Sequence, residues 1–159
     1  MSEQRTAYQL VEAVVTRLDP DELPYLPQLW GVYVRHPDDL ERAGERLLGS
    51  GVLADVAAWA PVVVSFVGGA VLEAAKQEIS DRSRGGVRAA ITWTRRRRAR
   101  RAALEAPLPA FDDAQRHRIG ESVLSRARAL GMPEERAQLL ADAVVGELQR
   151  SADAPRPGA

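Results

Sequence analysis

Residues 52–72 read VLADVAAWAPVVVSFVGGAVL, and the fold turns on what covers this stretch. From Val56 to Leu72 no residue is charged over seventeen positions, and Ser65 is the only polar side chain. A helix that is apolar all round is either buried in a bundle or facing lipid. A membrane span wants about 20 mainly apolar residues, and 56–72 falls slightly short of that. In a membrane Asp55 and Glu73 would bracket it, Trp59 would sit at one interface, and the arginines downstream would keep that side cytoplasmic. Pro61 and the pair Gly68-Gly69 weaken a lone lipid-exposed helix. The β-branched run Val62, Val63, Val64 would also suit a short buried strand. The polar continuation from Glu73 to Glu78 favours a helix instead, expected over 52–79. The bundle-core reading and the membrane-contact reading both stay open here. In the second, Trp59, Val63, Phe66, Val67 and Val71, with Ile91 and Trp93 downstream, would be contact residues.

The flanks supply helices with one apolar stripe each. Ala7, Val11, Val14, Val15 and Leu18 fall at i, i+4, i+7, i+8 and i+11, which predicts an amphipathic helix over 6–18. Asp19-Pro20 ends it, because the residue before a proline is pushed out of the helical region. Leu23, Leu26, Leu29, Trp30 and Tyr33 predict a helix over 25–35, with Pro24 tolerated in its first turn. His36-Pro37-Asp38-Asp39 reads as the next start, with acids at the positive end of the helix dipole. Its stripe is Leu40, Ala43, Leu47 and Leu48, and Gly49-Ser50-Gly51 stops it. His36 is read as a helix-end histidine rather than a catalytic one.

Beyond Ser83-Arg84-Gly85-Gly86 comes VRAAITWTRRRRARRAAL at 87–104, taken as helix although its first half alternates like a strand. EAPLPA at 105–110 opens a linker, 105–111. Asp112 with Gln115 forms a capping-box variant. Ile119, Val123, Leu124, Ala127 and Leu130 form a stripe. Gly131 and Pro133 then punctuate the chain, and Ala137, Leu140, Ala141, Val144, Val145 and Leu148 form a second stripe. That predicts a helical hairpin over 112–150 and a polar, disordered tail at 151–159.

The chain has 159 residues and no net charge, yet its charge is segregated. Residues 1–81 hold six cations and 13 carboxylates, 82–104 hold nine arginines and no acid, and 105–159 hold seven cations and nine carboxylates. Such a −7, +9, −2 arrangement orients the molecule in the field of any charged partner. Within the basic segment, Arg95, Arg96, Arg97, Arg98, Arg100 and Arg101 form a block beside Ile91 and Trp93. The block is a solvated face, an anchor for anionic headgroups, a phosphate-binding surface for nucleic acid, or an intramolecular partner of the acidic front. It lacks the interleaved aromatics of a single-strand platform.

Several chemistries are excluded or unsupported. With no cysteine there is no disulfide, thiolate metal site or thiol nucleophile. Gly68-Gly69 is not followed by Lys-Ser or Lys-Thr, and neither G-x-G-x-x-G nor H-E-x-x-H occurs. His36 and His117 have no ligand cluster around them, and no serine sits in a nucleophile turn. No catalytic, metal or cofactor residue is assigned. The first twenty residues lack the basic start, apolar core and cleavage site of a signal peptide. The expected location is therefore cytoplasmic, with the inner face of the membrane as the place of any membrane contact.

Two stretches, RARALGMPEERAQLLADAVVGEL at 126–148 and ELPYLPQLWGVYVRHPDDL at 22–40, resemble small uncharacterised all-helical proteins of high-GC bacteria. The resemblance implies an all-helical fold and brings no activity, cofactor or functional residue with it. The expected architecture is an all-α small helical bundle with a central apolar helix and a C-terminal antiparallel hairpin. The expected role is non-enzymatic: an accessory or adaptor protein that meets an anionic membrane surface or a protein partner through the apolar helix and the Arg/Trp segment. The alternative is a helical module that binds nucleic acid or another polyanion through the arginines.

Overall fold

The computed structural model describes residues 5–49, 59–82 and 93–153. Among these the regular structure is helical, and the chain is an all-α protein. Helix α1, Ala7–Leu18, begins at a capping box. The Gln9 N–H donates to Thr6 Oγ1 at 3.3 Å, and the Thr6 N–H donates to Gln9 Oε1 at 2.8 Å. After Asp19, Pro20–Tyr25 forms a 3-10 turn, capped by Asp19 Oδ1 accepting from the Asp21 N–H at 3.1 Å. Helix α2 is Leu26–Arg35. Pro24 therefore falls in the 3-10 turn, and Pro27 takes the first-turn position that the sequence suggested for Pro24. Helix α3 is Pro37–Gly49. His36 is an exposed joint between α2 and α3. Its N–H closes α2 on the Val32 carbonyl at 2.7 Å, and its own carbonyl accepts from the Asp39 N–H at 3.2 Å.

The apolar stretch is the N-terminal half of α4, Trp59–Arg82. The β-branched valines are helical, and residues 51–58 lie outside the described residues. Helix α4 packs against α1, α2, α3 and two later helices, α5 (Trp93–Glu105) and α6 (Asp113–Ala129). Contact on so many sides explains why both faces of its first half are buried. Val62, Val63, Val64 and Val67 are at most 1% exposed. Ser65, inside the same run, donates its hydroxyl to the Val62 carbonyl at 3.1 Å, so its burial leaves no orphan donor. Among the described residues no helix is long and apolar enough to cross a membrane.

The start of α4 is capped from far away. The Trp59 N–H donates to Glu22 Oε1 at 2.8 Å, and the Ala60 N–H donates to Glu22 Oε2. A carboxylate on the first free N–H groups satisfies donors and complements the helix dipole. Glu22→Ala is expected to cost about 1–2 kcal/mol, the sum of a lost cap and a lost dipole contact. Urea denaturation checks it. A midpoint equal to that of the unmodified protein would mean that α4 is capped by another group.

The hairpin expected at 112–150 is formed by α6 and α7, Glu134–Asp153. The capping box at α6 is present, with the Gln115 N–H on Asp112 Oδ1 at 2.7 Å and the Asp112 N–H on Gln115 Oε1 at 2.8 Å. Gly131 has φ +82°, the Met132 N–H reaches the Ala127 carbonyl at 3.0 Å, and the Gly131 N–H reaches that of Arg128 at 2.9 Å. This pair of bonds is a Schellman ending. Helix α7 continues to Asp153, three residues beyond the expected end at 150, and 154–159 lie outside the described residues.

The expected linker at 105–111 is stitched to the start of the chain. Pro107 forms an antiparallel bridge with Thr6, the Leu108 N–H donates to the Arg5 carbonyl at 2.8 Å, and Phe111 is buried. A second tie joins the two ends of the described chain. Buried Glu147 accepts from Arg5 Nη1 at 3.1 Å and from Arg150 Nη2 at 2.6 Å. The pairing offsets the cost of taking that carboxylate out of water.

Candidate functional site

Helix α5 carries the arginine block, and its geometry follows from which side faces the bundle. Leu104 is 2% exposed and Ala103 packs against the core, so these two define the inward side. Arg98, Arg101, Ala102 and Glu105 are exposed on the other side. One helix thus presents cations outward and fixes itself by apolar contacts inward. No large apolar side chain is exposed on it among the described residues.

The three described arginines of the block have different surroundings. Arg98 makes no ion pair among the described residues. Arg101 Nε donates to Glu105 Oε1 at 2.8 Å, one turn along, and this hydrogen bond, followed by the charge of Glu105, holds its guanidinium above the usual arginine pKa. Arg100 turns inward and is half-buried, with its guanidinium 4.9 Å over the ring of Tyr33. Tyr33 is fully buried and lies against Gly68 of α4. Arg95, Arg96, Arg97 and Trp93 stand in the first part of α5, and their side chains lie outside the described residues, as does Ile91 altogether.

The apolar contact residues expected in α4 are elsewhere than a contact surface would require. Trp59, Val63, Phe66 and Val67 are 8%, 0%, 3% and 0% exposed. They are core, because the stripes of the surrounding helices close over them, and in this fold they present almost no surface to a membrane or a partner. Val71 lies in α4 as well, with its side chain outside the described residues.

Two arginines that the sequence did not single out complete the cover of α4. Arg126 of α6 lies 5.2 Å over the Phe66 ring, and Arg136 of α7 lies 5.8 Å over the Trp59 ring. Together with Arg100 on Tyr33 they form three cation–aromatic contacts, each worth about 0.5–1 kcal/mol at an exposed site and more when desolvated. Spacing alone gives no signal for such pairs, since each joins different elements.

Among the described residues no catalytic arrangement emerges. Among the described residues no group of three His, Cys, Asp or Glu could hold a metal ion. Tyr8 has its pKa raised by burial first and by Glu12 second, and Glu134 is held below the ordinary carboxylate range by its hydrogen bond to Arg128. Neither change creates a nucleophile or a paired acid and base. A groove of about 560 Å³ runs beside α1, lined by Arg5, Gln9, Glu12, Ala13, Thr16, Leu23 and Glu147. Its charges are largely engaged in the tie between Arg5 and Glu147. No known family, no curated protein and no solved structure matches the chain.

Proposed function

We propose that this chain is a non-enzymatic accessory module that binds a phosphate-rich polyanion, nucleic acid first among them, through α5. The observation that carries the reading is the division of α5. Its apolar residues Ala103 and Leu104 face the bundle, while Arg98 and Arg101 face solvent. Interfacial membrane helices use a large apolar face inserted between headgroups, and here the apolar residues of the described part of α5 face inward. What α5 offers outside is charge, which suits a duplex carrying one phosphate per about 1.7 Å of axis. The acidic front at 1–81 repels the same polyanion, so the molecule meets it with α5 leading.

Fluorescence anisotropy with a labelled random-sequence duplex tests the proposal. Four phosphate contacts give a slope of about −3.6 in log K against log salt, or about 150-fold weaker binding at 200 mM than at 50 mM. Replacing Arg95, Arg96, Arg97 and Arg98 together by Ala is expected to remove most of the binding and most of the slope. Equal binding by that variant would sink the proposal. Adsorption to vesicles containing anionic lipid without any binding to the duplex would transfer the role of α5 to a membrane surface.

A further inference from the structure

From the geometry of α5 we infer that its arginines divide into two roles: Arg100 is the positioning residue that fastens the helix to the bundle, and Arg98 and Arg101 meet the anion. The assignment rests on the polyanion reading above for its second half only. Arg100 is half-buried and its guanidinium carbon Cζ lies 4.9 Å from the Tyr33 ring centroid. Its Nε is buried with no hydrogen-bond partner among the described residues, so the aromatic face is the contact it keeps. The ring beneath it cannot retreat. Tyr33 is 0% exposed, and a Cβ placed on Gly68 would stand 2.8 Å from Tyr33 Cε1. Gly68, Tyr33 and Arg100 are therefore a stack through three elements, α4, α2 and α5.

Among the described residues this stack adds to the apolar attachments at the C-terminal end of α5. The C-terminal end is held by Leu104 in the core and by the bridge between Pro107 and Thr6. Arg100, one turn earlier, is the next fastening toward the arginine block among the described residues. A guanidinium suits the task because it is planar, stacks on aromatic rings and is less strongly hydrated than an ammonium. With Arg100 fixed inward, Arg98 and Arg101 are set outward on one exposed side. Arg101 shares its charge with Glu105, which leaves Arg98 the stronger phosphate contact.

The experiment combines melting temperature with the salt dependence of binding to a random-sequence duplex, using the full chain. Arg98→Ala is expected to leave the melting temperature unchanged and to reduce the salt slope by about 0.9, one phosphate contact. For Arg101→Ala the reduction is expected to be smaller. Arg100→Ala is expected to lower the melting temperature and weaken binding while leaving the slope unchanged. Arg100→Lys retains the charge and loses the guanidinium over the ring, so it too should melt lower with the slope intact, and it serves if the alanine variant does not fold. A slope reduced by about 0.9 in either Arg100 variant would overturn the assignment, as would an unchanged melting temperature in both. If the unmodified chain does not bind the duplex, the polyanion reading fails by itself. The anchoring role then stands or falls on the melting temperatures of Arg100→Ala against Arg98→Ala.

Discussion

Val63→Asp is expected to leave no cooperatively folded protein at 25 °C. Val63 is 0% exposed in the half of α4 that other helices enclose. A carboxylate there is taken out of water into the apolar core, and desolvating an ion costs several kcal/mol even after relaxation. The lost valine packing adds about 2 kcal/mol, by analogy with other buried aliphatic truncations. The total approaches the whole stability of a typical domain, about 5–15 kcal/mol. Circular dichroism during urea denaturation reads the result. The same substitution separates the two roles considered for the apolar stretch. A contact residue would lose partner or membrane binding and keep its folding, so a transition within about 1 kcal/mol of the unmodified protein would return Val63 to the surface.

How far the sequence led depends on whether the decisive partner was near in the chain. Asp112 and Gln115 are three residues apart, and their reciprocal hydrogen bonds follow from local type and spacing. The stop at Gly131 was legible for the same reason, since a φ of +82° there favours a residue without Cβ. The apolar run could be assigned to a helix but not to a surroundings, because hydrophobicity is shared by cores and membranes. The neighbouring stripes were the clue that it would be covered. Contacts between distant residues left no trace in spacing: Glu22 on Trp59, Arg5 on Glu147 and Arg100 on Tyr33 each join different elements. The arginine block was visible as a block, but its division into an inward and an outward group required the side of α5 that Leu104 buries.

Gly68 and Gly69 carry this difference in its smallest form, and they are expected to respond to the same substitution with opposite signs. In an exposed helix interior, Gly→Ala gains about 1 kcal/mol from backbone entropy and propensity. At Gly69 that gain survives: the nearest atom to an added Cβ is Arg126 Nη1 at 3.5 Å, an ordinary contact at the end of a flexible side chain. Gly69→Ala should therefore be neutral or stabilising by up to about 1 kcal/mol. At Gly68 the added Cβ meets three atoms of Tyr33, at 2.8, 3.0 and 3.1 Å. The ring is buried from other sides and carries Arg100 above it, so it has no free direction of escape. Overpacking of this kind costs about 1–3 kcal/mol, which exceeds the propensity gain, and a β-branched residue such as Val adds further clash with no propensity benefit. Gly68→Ala should thus destabilise by up to about 2 kcal/mol and Gly68→Val by more, with Arg100 losing its seat in both. Pairing Gly68→Ala with Tyr33→Leu provides the internal check. If the clash is the cause, the two changes will be less than additive, because residues in direct contact couple. Strict additivity, or a stabilised Gly68→Ala, would mean that the tyrosine ring does not rest on α4 and that the stack beneath Arg100 has a different base.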